Sequence, residues 1–376
     1  MKTTQTQKDL SPENIQESNN VITYTAKAKL EETSDVYCDG LHIDSFDVKI
    51  ESHTFSNGTG TITFADEITA IGNRAFSGCD GLTSIVIPNS VKTIEVWAFY
   101  KCSSLVSITI PDSVTRIEIG AFCECSSLKS ITIPDSVTTI DDWAFCGCIS
   151  LKSITIPNSI KTIGEDAFCE CSSLKSITIP DSVKTIGHTA FYSCEELTSI
   201  TIPPSVTKIE VRAFCDCSSL TSVTIPYSVK TIVGFAFEGC KKLTSINVDA
   251  ANRHYSSVDG VLFNYAKDTL IQYPAGKVQP TYTIPNSVKT IDSWVFRGCD
   301  CLTSIVIPNS VQKIECGAFE GCKKLTSITL PHSITEIRDR AFYECINLSE
   351  IIVPQGEKER FVEMLHDYKD IIIEKD

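Results

Sequence analysis

Cysteine is the residue type with most capacity for chemistry in this 376-residue chain, and there are 18 of them. Eleven recur in one slot, three residues after a phenylalanine: Cys79, Cys102, Cys125, Cys148, Cys171, Cys194, Cys217, Cys240, Cys299, Cys322 and Cys345. If successive slots lie one coil apart, ~4.8 Å, their side chains run parallel. A disulfide needs Cβ atoms ~3.8 Å apart that point at each other. The reading is a column of reduced, buried thiols acting as small hydrophobes, which suits a reducing compartment. Extra thiols form Cys-x-Cys pairs at Cys123, Cys146, Cys169 and Cys215, three of them on consecutive repeats. Structural zinc prefers Cys-x₂₋₄-Cys, so these read as polarisable fillers and no metal is expected. The six histidines (His42, His53, His188, His254, His332, His366) fall in unrelated slots. There is no nucleophile elbow, P-loop, His-Glu-x-x-His or Rossmann glycine motif. Neither catalysis nor a cofactor is expected.

Recognition has a better case. The slot two residues before each of those phenylalanines reads Arg74, Trp97, Gly120, Trp143, Asp166, Thr189, Arg212, Phe235, Trp294, Gly317 and Arg340. A core slot would not hold Gly, Trp, Asp and Arg in turn, so this stripe is expected to be exposed. All three tryptophans lie in it, and Trp and Arg are enriched at binding hot spots. Trp97, Trp143, Arg212, Phe235, Trp294 and Arg340 are therefore the candidate partner-binding residues. Trp97 and Trp143 should stand ~10 Å apart, two coils, with Gly120 leaving a gap. The competing reading lays these rings flat on apolar coil edges. Two hydroxyl columns, Ser107 to Ser222 and Thr109 to Thr224, read as solvated strand ladders, or as a surface for carbohydrate polymers.

These residues must be positioned by a repeat. The unit is Cys-x-x-Leu-x-Ser-Ile-x-Ile-Pro-x-Ser-Val-x-x-Ile-x-x-x-Ala-Phe, recurring every 23 residues. Its marker is Phe76, Phe99, Phe122, Phe145, Phe168, Phe191, Phe214 and Phe237, then Phe296, Phe319 and Phe342. A fixed period in the twenties implies stacked supersecondary units with one continuous core. In the unit after Cys125, Leu128, Ile131 and Ile133 face inward from a short strand. Pro134 lacks an N–H and ends it. Val137 and Ile140 line a second extended stretch, and Ala144-Phe145 should return as a short helical turn.

The pattern Leu-x-x-Ile-x-Ile-Pro-x-Ser-Val-x-x-Ile-x-x-x-Ala-Phe-x-x-Cys resembles the BspA-like leucine-rich repeats, from about Thr59 to Pro354. The resemblance implies a mainly β (α/β-type) right-handed leucine-rich-repeat solenoid, here of about 12 coils. It implies protein binding, in several members adhesion to host matrix proteins. Around the array the expected organisation is a disordered tail at 1–20, a β-rich cap at 21–58, coils at 59–354 and an α/β cap at 355–376. One coil is elongated at about 249–284: Asp249 replaces proline, 13 residues are added, and a β-hairpin is expected around Asn264–Asp268. The formal charge of −14 argues against nucleic acid, and no apolar run reaches the ~18 residues of a membrane helix. Met1–Asn20 lacks the apolar core of a secretory signal, so the expectation is an intracellular chain unless a signal was removed. The favoured function is non-catalytic protein binding, as a surface adhesin or an intracellular scaffold.

Overall fold

The computed structural model describes residues 19–34 and 39–375. Most of the tail expected at 1–20 lies outside the described residues. Strands Ser107–Thr109, Ser130–Thr132, Ser153–Thr155, Ser176–Thr178 and Ser199–Thr201 each carry the Ser-Ile-Thr step, exposed, buried, exposed. They stack parallel and in register: Ile131 lies beside Ile154, and Thr132 beside both Thr109 and Thr155. β-Branched residues fill both faces of such a ladder well. After the proline turn the second stretch forms its own ladder, through Thr93–Ile94, Arg116–Ile117 and the bridges Ile117, Ile140, Ile163, Ile186.

The third stretch is not the short helical turn anticipated at Ala144-Phe145. Alternate N–H groups leave the coil: Trp97 donates to Ile119 (2.9 Å), Phe99 to Ala121 (2.8 Å) and Lys101 to Cys123 (2.9 Å). The intervening ones close turns within it: Ala98 to Glu95, Tyr100 to Trp97, Cys102 to Phe99. A helix would spend every N–H internally and leave this edge of each coil unpaired. The alternation requires a left-handed residue at two positions per coil. One is the slot two before the marker Phe (Trp97, φ 57°); the other is the slot two after it (Lys101, φ 57°).

The marker rings form the spine. From Phe76 to Phe237 each is 5.3–5.6 Å from the next, with planes within 5°. Near-parallel rings at that separation are offset-stacked, a favourable arrangement. Phe46 closes one end edge-on against Phe76, and Tyr368 closes the other against Phe342. The cysteine column does more than fill space. From Cys102 to Cys240, and at Cys322 and Cys345, each thiol donates to the carbonyl of the marker Phe one coil back, at 3.0–3.2 Å. Cysteine suits this slot because it is small, apolar and still a weak donor.

The long sheet ends at Ser245–Val248, and a second begins at Thr281–Thr283. Between them Asn252 occupies a buried valine slot with every side-chain group satisfied. Its amide donates to Pro226 and Val229, and its Oδ1 accepts from His254 and Tyr255. Tyr255–Val258, Val261–Asn264 and Thr269–Gln272 then run antiparallel. Thus the Asn264–Asp268 turn is preceded by a tighter one at Asp259-Gly260 (φ 49° and 74°). Two residues with positive φ make a type I′ hairpin turn, for which Asp-Gly is a favoured sequence. Thr269–Gln272 rejoins the second ladder beside Thr290–Ile291. Tyr273 takes the marker slot, tilted 38° against Phe296.

At the N-terminus, Val21–Ala26 lies between Thr59–Phe64 and Leu82–Val86, antiparallel to both, and Ile50–Ser56 forms the outer edge. At the C-terminus, helix Lys358–Met364 buries Phe361, and Ile372–Lys375 pairs parallel with Glu350–Pro354.

Candidate functional site

The edge of the solenoid built by the turns is where side chains vary from coil to coil. Two columns line it. One is the left-handed slot before each marker Phe; the other is the residue directly after it. Inter-coil hydrogen bonds fix the backbone of both, so their side chains are presented on a rigid frame.

The rings of Trp97 and Trp143 do not keep the two-coil spacing of their backbones. Their ring centroids are 5.7 Å apart, tilted by 58°. The cause is Gly120: a Cβ there would lie 2.2 Å from the Trp97 ring, so the indole leans across the vacant position. Tyr100 meets Trp97 edge-on at 5.0 Å and its hydroxyl donates to Glu124 (3.1 Å). Trp143 is 42% exposed and donates its Nε1–H to Asp166 (2.8 Å). These residues, with Cys123 and Cys146, line a depression of ≈ 330 Å³.

A second cluster lies beyond it. The Arg212 guanidinium sits 5.4 Å above the Phe235 ring, and Phe235 meets Trp294 edge-on at 4.7 Å. Trp294 leans over Gly317 as Trp97 does over Gly120. Arg340 stands apart, over Tyr343 at 4.6 Å. Five of the six candidates therefore fall into two aromatic groups, and Arg340 belongs to neither. Arg297 marks the array's break, paired with Glu238 and with Glu320 (3.2 Å).

Sequence reasoning missed Tyr100 and Glu124, and took the second column only for the extra thiols at Cys123, Cys146, Cys169 and Cys215. Its signal was available: the slot after each marker Phe reads Ser77, Tyr100, Cys123, Cys146, Cys169, Tyr192, Cys215, Glu238, Arg297, Glu320 and Tyr343, which also varies freely. In it the Cys146 pKa is held below its ordinary value by the flanking thiols of Cys123 and then Cys169. By contrast, burial pushes the inner Cys148 and Cys171 well up. The serine and threonine columns lie exposed on the long sheet. The arrangement offers apolar faces, indole donors and carboxylates for recognition. Among the described residues no group of His, Cys, Asp and Glu is arranged to hold a metal ion.

The BspA type leucine rich repeat region, in six copies, matches residues 48–173, 138–266 and 278–367. The chain belongs to this family. A leucine-rich cell surface protein of Faecalibacterium prausnitzii A2-165 is 30% identical over 81% of this chain and 80% of its own, with a TM-score of 0.56. A leucine-rich-repeat protein of Bacteroides ovatus ATCC 8483 is 26% identical over 88% of this chain and 92% of its own, with a TM-score of 0.52. No curated protein matches. The BspA-type fold is thus a mainly β solenoid whose variable edge, not its repeated sheet, distinguishes one coil from the next. No helix among the described residues is long and apolar enough to cross a membrane.

Proposed function

We propose that the chain is a non-catalytic protein-binding scaffold that grips its partner through the turn edge. The carrying observation is the half-exposed Trp97–Trp143 pair, held on a rigid backbone beside Tyr100 and Asp166. Rigid aromatic side chains lose little entropy on binding, and Trp, Tyr and Arg dominate interface energetics. The Arg212–Phe235–Trp294 group supplies a second anchor on the same edge. The likeness to a cell surface protein favours display outside the cell, where the partner would be a matrix or cell-surface protein. The test is retention of purified matrix and cell-surface proteins by the immobilised full chain. A protein held by the wild type should be lost from Trp97→Ala/Trp143→Ala; undiminished retention by that variant would overturn the reading.

A second reading, an intracellular scaffold, is favoured by the free thiols of the inner column. Surface proteolysis of intact cells separates the two, since only a displayed chain is cleaved.

A further inference from the structure

Cys123, Cys146 and Cys169 occupy one slot in three successive coils, each directly after a marker Phe. Their backbones are tied together: Glu124 donates to the Cys146 carbonyl (2.7 Å) and Gly147 to that of Cys169 (2.8 Å). The neighbouring rings Phe122, Phe145 and Phe168 step by 5.5 Å. A disulfide spans Cα atoms about 4.4–6.8 Å apart. One coil step therefore falls within that range once the parallel side chains of the column turn toward each other, and two steps, Cys123 to Cys169, fall outside it.

The inner column cannot compete. Cys125, Cys148 and Cys171 are fully buried, with each thiol committed to a carbonyl. In the outer row Cys123 and Cys169 are buried and Cys146 is partly exposed, on the wall of the depression beneath Trp97 and Trp143. Cys215 shares the column, but Tyr192 and Glu238 flank it. The flanking thiols of Cys123 and Cys169 favour the Cys146 thiolate, which is the nucleophilic form.

We propose that Cys146 is a peroxide-oxidisable thiol that closes an inter-coil disulfide with either Cys123 or Cys169. The Cys146 sulfur attacks one oxygen of hydrogen peroxide, the O–O bond breaks, and the departing hydroxide takes a proton and leaves as water. Cys146 is then a sulfenic acid. The sulfur of Cys123 or Cys169 attacks it, the S–O bond breaks, and a second water leaves with the attacking thiol's proton. Two thiols lose two electrons and two protons, and one peroxide becomes two waters. The third thiol of the row stays reduced.

The test treats the reduced full-length chain with one equivalent of hydrogen peroxide. Free thiols are blocked with N-ethylmaleimide and the disulfides mapped by mass spectrometry. Every intrachain disulfide is expected to contain Cys146, with the inner column unmodified. Cys146→Ser should leave Cys123 and Cys169 both free. In Cys123→Ser/Cys169→Ser the sulfenic acid should persist and be trapped at Cys146 by dimedone. Independently of any variant, wild-type Cys146 should react with maleimide at pH 6 at least 10-fold faster than Cys301, which is also partly exposed. A Cys123–Cys169 bridge, oxidation of Cys301 or Cys316 with Cys146 untouched, or equal maleimide rates would each overturn the proposal.

Discussion

The indoles of Trp97 and Trp143 meet at a centroid distance of 5.7 Å across a coil that contributes only Gly120 to the gap. Three residues spaced by 23 thus make one feature that no single coil contains. Gly120 serves twice: its φ of 61° is left-handed, and its missing Cβ admits the Trp97 ring.

Gly120→Ala should therefore displace the Trp97 ring and strain the backbone. The expected cost is about 1–2 kcal/mol for a β-carbon in the left-handed region, read by denaturant unfolding. The near-UV circular dichroism of the tryptophan pair should change as well. An unaltered spectrum would mean that the indoles do not depend on this gap.

Thr189 presents the opposite case. It holds the same left-handed slot, with φ 49°, although β-branched residues are genuine outliers there. Its hydroxyl is buried without a hydrogen-bond partner. Thr189→Gly should relieve both faults and raise stability by about 1 kcal/mol. A loss of stability would show that the threonine methyl contributes packing that outweighs its strain.

The repeat, its ring spine and the buried isoleucines were legible because one residue type recurs wherever the environment recurs. The turn was not legible. Trp97, Lys101, Arg212 and Thr189 have no local preference for positive φ, and inter-coil hydrogen bonds impose it. Gly120, Gly317 and Gly147 betray those slots only once the coils are stacked. For the same reason the tryptophan pair was expected to be open: the sequence places the two residues two coils apart, while the lean of Trp97 depends on what Gly120 lacks. The Asp259-Gly260 turn was available in the sequence and overlooked beside the longer Asn264–Asp268 segment. The thiol-to-carbonyl bonds were hidden because a cysteine in an apolar column reads as packing alone.

Phe145 is fully buried between Phe122 and Phe168. Phe145→Ala should cost about 3–5 kcal/mol, because neighbouring coils share this core and cannot repack independently. Hydrogen exchange should accelerate most in the coils on either side. A uniform acceleration along the chain would mean that the array unfolds as one unit.

The N-terminal cap should weaken in acid. Tyr24 donates to His53 Nε2, and His53 Nδ1–H donates to Glu32, both at 2.7 Å. Burial holds the His53 pKa below its ordinary value, and the His53 hydrogen bond holds that of Glu32 below its own. For both groups the unfolded chain binds more protons, so stability is complete above the unfolded values and falls as pH drops. The His53 contribution declines from about pH 6.5 downward, and that of Glu32 from about pH 4.3. His53→Gln should flatten the first decline in a pH series of thermal unfolding; an unchanged slope would place its origin elsewhere.

The most direct test of the turn edge as the binding face is photo-crosslinking from two positions of the intact chain. A benzophenone side chain replaces Asp142, exposed beside Trp143, or Thr155, exposed on the long sheet. Each chain is irradiated with the matrix and cell-surface proteins used for retention. Adducts are expected from position 142, with at most a tenth of that yield from position 155. Adducts that form from the sheet and not from the edge would contradict the account.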